Sequence, residues 1–196
     1  DVVGGTADAL TLSVNTVGVQ EDTTTDATEL SVVTATINDI EELTINVTGD
    51  NQVSMGANDA TSLIVTGEGS LNMATVSTAL TSINASAATG NITLDTTAVN
   101  AANALTSIST GTGNDTVTVD TDDVLANGTI AAGEGTDALN LVGGSANTTQ
   151  LNLTGFETIN LGAMAGAQTI SATNFTDLTT ISVNDANMDE SVTFVN

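Results

Sequence analysis

The chain has 196 residues; 24 are Asp or Glu and none is Lys, Arg or His, which gives a formal net charge of −24. No ion pair between side chains can form. Nucleic-acid binding is excluded because nothing can neutralise phosphate, and charge-driven docking to an anionic membrane is excluded for the same reason. Cys, Tyr and Trp are absent as well, so Ser-His-Asp and Cys-His arrangements cannot be built. Only a carboxylate pair of the glycosidase kind stays formally open, and three Phe are a poor platform for a sugar. No enzyme is expected.

The length fits one domain. Hydrophobic residues make up 40%. They are mostly Ala, Val, Leu and Ile, which suit a thin core between sheets. No apolar run is long enough for a transmembrane helix, and no basic, apolar amino-terminal signal is present. Because the chain starts at Asp1 rather than Met, it reads as a segment of a longer secreted protein. Without Cys there is no disulfide scaffold.

Two elements alternate along the chain. The first reads apolar-x-x-apolar-x-apolar. It occurs at Ile40–Ile45, more loosely at Ala60–Val65, then at Leu80–Ala85, Leu105–Ile108, Phe156–Leu161 and Leu178–Val183. Its anchors Leu43, Leu63, Ile83, Ile108, Ile159 and Ile181 are spaced by 20, 20, 25, 51 and 22 residues; the 51 reads as two coils. The second element is a short alternating strand: Val53–Met55, Leu71–Met73, Ile92–Leu94, Val117–Val119, Leu139–Leu141 and Val192–Phe194, with Ile170 a further candidate. Glycine-bearing turns precede most of them, at 48–51, 66–69, 89–91, 111–115 and 133–137.

The apolar period is 2 rather than 3.6, and Thr, Val, Asn and Gly are poor helix formers. Short helical turns are expected only at Asn100–Leu105 or Asp120–Leu125. The predicted fold is all-β: a right-handed parallel β-solenoid or β-roll with about 20–25 residues per coil, spanning residues 1–196 as one domain. A β-sandwich with short strands is the alternative. The absence of proline suits uninterrupted ladders, though composition bias explains it equally well. Asn46, Asn84, Asn160 and Asn184 could stack as amide ladders or simply face outward. Asn-x-Ser/Thr triplets at Asn46, Asn84, Asn91, Asn147 and Asn174 are expected by chance in such a composition.

Two turns carry the chemistry. Residues 111–119 (GTGNDTVTV) and 133–141 (GEGTDALNL) share the register G-x-G-x-D-x-apolar-x-apolar and lie 22 residues apart. This is the turn-and-strand unit of a calcium-binding parallel β-roll. Glycine permits unusual backbone conformations, and aspartate with turn carbonyls supplies the hard oxygen ligands that Ca2+ prefers. Asp115 and Asp137 in successive coils would face each other across one ion, with Gly111, Gly113, Gly133 and Gly135 offering carbonyls. The alternative is two glycine turns with solvated aspartates. Asp120, Asp122 and Asp123 form an acidic cluster that would add ligands to the same ion, make a surface site, or be a solvated loop. Val3–Leu12 is a degraded copy with Asp8 in the aspartate position, and Gly67–Leu71 keeps the glycines without the aspartate. Glu21, Asp22 and Asp26 read as a plain acidic loop.

The order and spacing of residues 113–119, 133–139 and 155–159, then the small-residue stretch 163–166 and residues 174–178, resemble the crystalline region of the calcium-dependent RTX-type surface-layer proteins of Caulobacter and related alphaproteobacteria. The resemblance covers the segment from Gly111 to about Val183 and implies a type I secretion substrate that tiles the cell surface as a two-dimensional lattice. It also implies that calcium supports folding and assembly, with Asp115, Asp137 and their glycines as ligands. An amino-terminal lipopolysaccharide-anchoring domain and a long tandem array are not seen in this sequence. The function expected is a structural extracellular protein that self-assembles at the cell surface into a lattice (S-layer) or filament stabilised by calcium. Its partners would be other copies of itself, with a cation-bridged lipopolysaccharide or glycan also open. The alternative is a stalk or ligand-binding segment of a secreted RTX adhesin.

Overall fold

The structure, a computed structural model, describes residues 5, 8–18, 32–56, 59–100, 104–143, 152–164, 168–171, 176–184 and 192–195. The acidic loop at Glu21, Asp22 and Asp26, the triplets at Asn147 and Asn174, and the resembling residues 165–166 and 174–175 lie outside the described residues.

The strands run in chain order as β1 (Ala9–Asn15), β2 (Val33–Ala35), β3 (Glu42–Thr48), β4 (Asp50–Met55), β5 (Ser62–Gly67), β6 (Ser70–Thr75), β7 (Ser82–Ala88), β8 (Ile92–Asp95) and β9 (Leu105–Ser109). They continue as β10 (Thr116–Asp120), β11 (Val124–Ala131), β12 (Ala138–Gly143), β13 (Asn152–Thr154), β14 (Thr158–Met164), β15 (Gln168–Ser171), β16 (Thr180–Val183) and β17 (Val192–Val195). Odd strands β1 to β13 form a seven-stranded sheet, even strands β16 to β2 an eight-stranded sheet, and β15 pairs with β17. Each coil therefore lays one strand in each sheet, turns, and returns one ladder step along. Every pairing among the described residues is parallel, for example β3 with β5 and β10 with β12. The fold is the stacked β-solenoid, of about six turns. A sandwich built from antiparallel hairpins is ruled out.

The ladder explains the repeat. Leu43 pairs with Leu63 and Leu63 with Ile83 in the odd sheet. In the even sheet the column runs Val53, Met73, Leu94, Val117, Leu139, Ile159. All these side chains are buried between the sheets, because alternate residues of a strand face the same side. Outward positions carry Thr, Ser and Asn. Asn160 Nδ2 donates to Asn140 Oδ1 (2.8 Å) and Asn140 Nδ2 to Thr118 Oγ1 (3.0 Å), so one amide ladder forms on the outer face of the even sheet. Asn84 instead accepts from Ser86 and Ser109.

One expectation about spacing needs correction, and one about helix is met in its second place. The 51-residue step from Ile108 to Ile159 is not two whole coils. Ile108 lies in β9 of the odd sheet and Ile159 in β14 of the even sheet, so the motif has changed sheets across two and a half coils. The helical turn at Asp120–Leu125 is a single 3-10 turn, Thr121–Asp123. No described segment at Asn100–Leu105 is helical, and residues 101–103 lie outside the description.

Candidate functional site

The two glycine turns lie where the chain passes from the odd sheet to the even sheet, just before β10 and β12. They stack directly. The Asp115 N–H donates to Asp137 Oδ1 at 2.7 Å. Asp115 in turn reaches back one coil with Oδ1, which accepts from the Ile92 N–H (2.8 Å), while its Oδ2 accepts from the Gly111 N–H of its own turn (3.2 Å). Glu157 of the next coil repeats the move, its Oε2 accepting from the Asp137 N–H at 2.6 Å. A column of carboxylates thus ties each coil to the amides of the one before. The adjacent residues tie in the opposite sense. Asn114 Oδ1 accepts from the Thr136 N–H of the following coil (2.9 Å), and Asn91 Oδ1 accepts from the Asn114 N–H (2.8 Å).

A chain with no cationic side chain has to satisfy its buried carboxylates this way. Asp115 and Asp137 are each only 1% exposed. Backbone N–H groups are strong donors to a carboxylate and favour its charged form. Asp115 has one on each oxygen. Asp137 has one in total, and its Oδ2 is buried without a partner. Burial accordingly pushes the Asp137 carboxyl up from 3.8 to about 6; the Asp115 amide pulls it down, and the charges of Asp115 and Glu157 add to the rise.

The glycines serve the same stacking. A Cβ on Gly133 would lie 1.7 Å from the Gly111 carbonyl oxygen, and one on Gly111 would lie 1.8 Å from that of Ala88. A second column runs alongside: Cβ atoms on Gly113 and Gly135 would meet the carbonyls of Gly90 and Gly113 at 2.4 and 2.2 Å. Of these four, only Gly135 holds a left-handed φ, at 149°. The sequence reading assigned glycine to unusual backbone conformation; at Gly111, Gly113 and Gly133 the requirement is instead that no side chain fits between coils.

This geometry bears on calcium. The ion takes six to eight oxygens. Here the space between the Asp115 and Asp137 turns is closed by a direct hydrogen bond, both Asp115 oxygens hold amides, and the Gly111 carbonyl accepts from the Glu134 N–H (3.1 Å). One carboxylate oxygen, Asp137 Oδ2, is left over. Among the described residues no three acidic side chains converge as a metal cage. In this structure the two turns meet through these direct hydrogen bonds.

The Asp120, Asp122 and Asp123 cluster lies at the opposite end of β10, where the chain crosses back to the odd sheet. Five residues of strand place it about 16 Å from Asp115, too far to complete one coordination sphere. Asp120 Oδ1 caps the 3-10 turn by accepting from the Asp122 N–H (2.9 Å). Asp123 is 7% exposed. Its burial, with the charges of Asp120 and Asp122, lifts its carboxyl to about 6.

Sequence reading missed a residue that falls one position from the first residue of β3, β7, β9 and β16. In the element apolar-x-x-apolar, the first x is a coil link. Thr81 Oγ1 donates to the Thr61 carbonyl (3.1 Å), Thr106 Oγ1 to that of Thr81 (2.9 Å), and Thr179 Oγ1 to that of Glu157 (3.1 Å). Glu41 does the same with a carboxylate, accepting from the Asp8 N–H at 2.7 Å. The signal was the restriction of that position to Thr or Glu in every copy. No α-helix occurs among the described residues, so none is long and apolar enough to cross a membrane. No family profile matches the chain, and neither a curated protein nor a solved structure matches it.

Proposed function

We propose that the protein is a structural, extracellular solenoid whose copies self-assemble at the cell surface into a lattice or filament, with calcium stabilising the assembly. The observation that carries this reading is the stack itself. Asp115, Asp137, Glu157, Glu41, Thr81, Thr106 and Thr179 each use one side-chain oxygen to join coils. That leaves a regular rod built for load. The absence of His, Cys, Lys, Arg, Tyr and Trp leaves little with which to do catalysis, and the resemblance to calcium-dependent surface-layer proteins points the same way.

Calcium acts, in this account, outside the coil core. Exposed carboxylates such as Glu42, Asp50, Glu68 and Glu134 have no counter-charge anywhere in the chain, so copies repel one another at a net charge of −24. A divalent cation held between copies removes that repulsion; the same bridge would serve an anionic glycan or lipopolysaccharide. Negative-stain electron microscopy in millimolar calcium and after chelation tests the proposal. Sheets or filaments that dissolve on chelation support it. Dispersed particles in both conditions, with binding to glycan or cells, would favour the adhesin-segment reading instead.

A further inference from the structure

The carboxylates are not spread evenly over the surface. Of the acidic residues described, none lies inside a strand: Glu42, Asp50, Asp95 and Asp120 are the first or last residue of one, and the rest lie in the connections. The outer face of the even sheet is therefore neutral between two acidic rims. Asp50, Glu68 and Glu134 line the rim where the even strands begin, and Asp95, Asp120 and Asp122 the rim where they end. Between them one outward column runs Thr93, Thr116, Ala138, Thr158, and the next runs Thr118, Asn140, Asn160; all are half-buried. From β8 to β14 the pairing keeps one register up to Leu141, and the ladder of Asn160, Asn140 and Thr118 fixes those side chains in a row. The odd sheet shifts register between β5 and β7 and again between β9 and β11, so its outer rows are broken.

We infer that two copies of this chain pack against each other through the outer faces of their even sheets. This rests on the self-assembly reading above and names its contact. Charge selects the surface. At a net charge of −24 a contact through the corners sets carboxylate against carboxylate, whereas two even faces meet with none between them. Period selects the occupant. Hydroxyls and amides recur on this face at ladder steps of about 4.8 Å, and a second copy carries rows with the same interval. Thr and Asn rows of this kind interdigitate in dry contacts between sheets. A sugar partner lacks its platform here, because no residue of the two columns is aromatic. Size suffices as well. Eight strands at that step span about 34 Å, and a width of about 15 Å gives roughly 1,000 Å² for the two faces together, the lower limit for a specific contact. The contact is isologous. It brings the acidic rims of the two copies side by side, so pairing depends on salt or a divalent cation held along the rims.

Sedimentation velocity over a range of protein concentrations, at physiological salt with and without millimolar calcium, tests the contact on the wild type and on Thr116→Glu, Ala138→Glu and Thr129→Glu. The first two place a carboxylate in the middle of the even face. The third adds the same charge at an exposed position of β11 in the odd sheet and so controls for net charge. None removes a core side chain; circular dichroism checks the fold, and Ala138→Glu, which forfeits no hydroxyl, carries the test if Thr116→Glu unfolds. The wild type is expected to associate in calcium. Each even-face variant is expected to weaken association about tenfold or more, because a carboxylate sealed between two faces loses its water without gaining a partner. Thr129→Glu is expected to stay within about twofold of the wild type. Folded even-face variants that associate as the control does would overturn this contact and leave self-assembly standing. A wild type that stays monomeric in every condition overturns both; retention of that monomer on a neutral polysaccharide, lost in Thr116→Glu, would assign the face to a glycan instead.

Discussion

Replacing Gly133 by Ala tests whether backbone contact between coils holds the acidic turns together. Gly133 does not hold a left-handed φ, so Ala can adopt its backbone conformation. The added methyl would lie 1.7 Å from the Gly111 carbonyl oxygen, against an ordinary C···O contact of about 3.3 Å or more. The two coils must therefore part locally by roughly 1.5 Å. That opens the Glu134 N–H to Gly111 and Thr110 N–H to Ala131 carbonyl bonds, now 3.1 and 3.0 Å. Two backbone bonds at about 1 kcal/mol each and an overpacking cost of about 1–3 kcal/mol outweigh the ~0.5–1 kcal/mol gained from a stiffer unfolded chain. A net loss of ~2–4 kcal/mol is expected. Urea denaturation followed by circular dichroism measures it, with the exposed neighbour Glu134→Ala as a control that should stay within about 0.5 kcal/mol. A Gly133→Ala protein as stable as that control would refute the stacking argument.

Three further outcomes follow from the carboxylates. Asp115→Asn places an N–H2 opposite a backbone N–H donor at Ile92 or Gly111, and should lower the urea midpoint by an amount equivalent to ~2–3 kcal/mol. Asp137→Asn should have the opposite sign at neutral pH. The folded-state pKa of Asp137 is raised from 3.8 to about 6, so ionisation disfavours the fold. The stability present below pH 3.8 is lost as pH rises to about 6. At about 1.4 kcal/mol per pH unit the shift corresponds to at most ~3 kcal/mol; the variant should recover ~1–3 kcal/mol at pH 7 and gain nothing at pH 3.5. The wild type should itself lose stability between pH 4 and 7, because Asp123 is raised in the same direction, to about 6; urea titrations at the two pH values check this.

The coil was legible because the apolar anchors recur with the turns, and a parallel ladder turns equal spacing into contact. Leu43, Leu63 and Ile83, each 20 residues apart, are neighbours in one column. What sequence could not give was the direction in which Asp115 and Asp137 aim. A carboxylate after a glycine turn can face an ion or an amide, and the residue types are the same for both. The choice rests on which groups the preceding coil presents, here the N–H groups of Ile92 and Asp115. The separation of Asp120–Asp123 from Asp115 was hidden for a related reason. Five residues apart in sequence is one strand apart in space, from one corner of the coil to the other.

The central claim is that the acidic turns are closed by carboxylate–amide bonds, with calcium acting between copies. Far-ultraviolet circular dichroism and thermal melting of one dilute sample, before and after chelation, test it most directly. The account predicts an unchanged β-sheet spectrum and midpoint. Collapse of the spectrum on chelation, with recovery on adding calcium, would contradict it and make the turns an ion site on which folding depends.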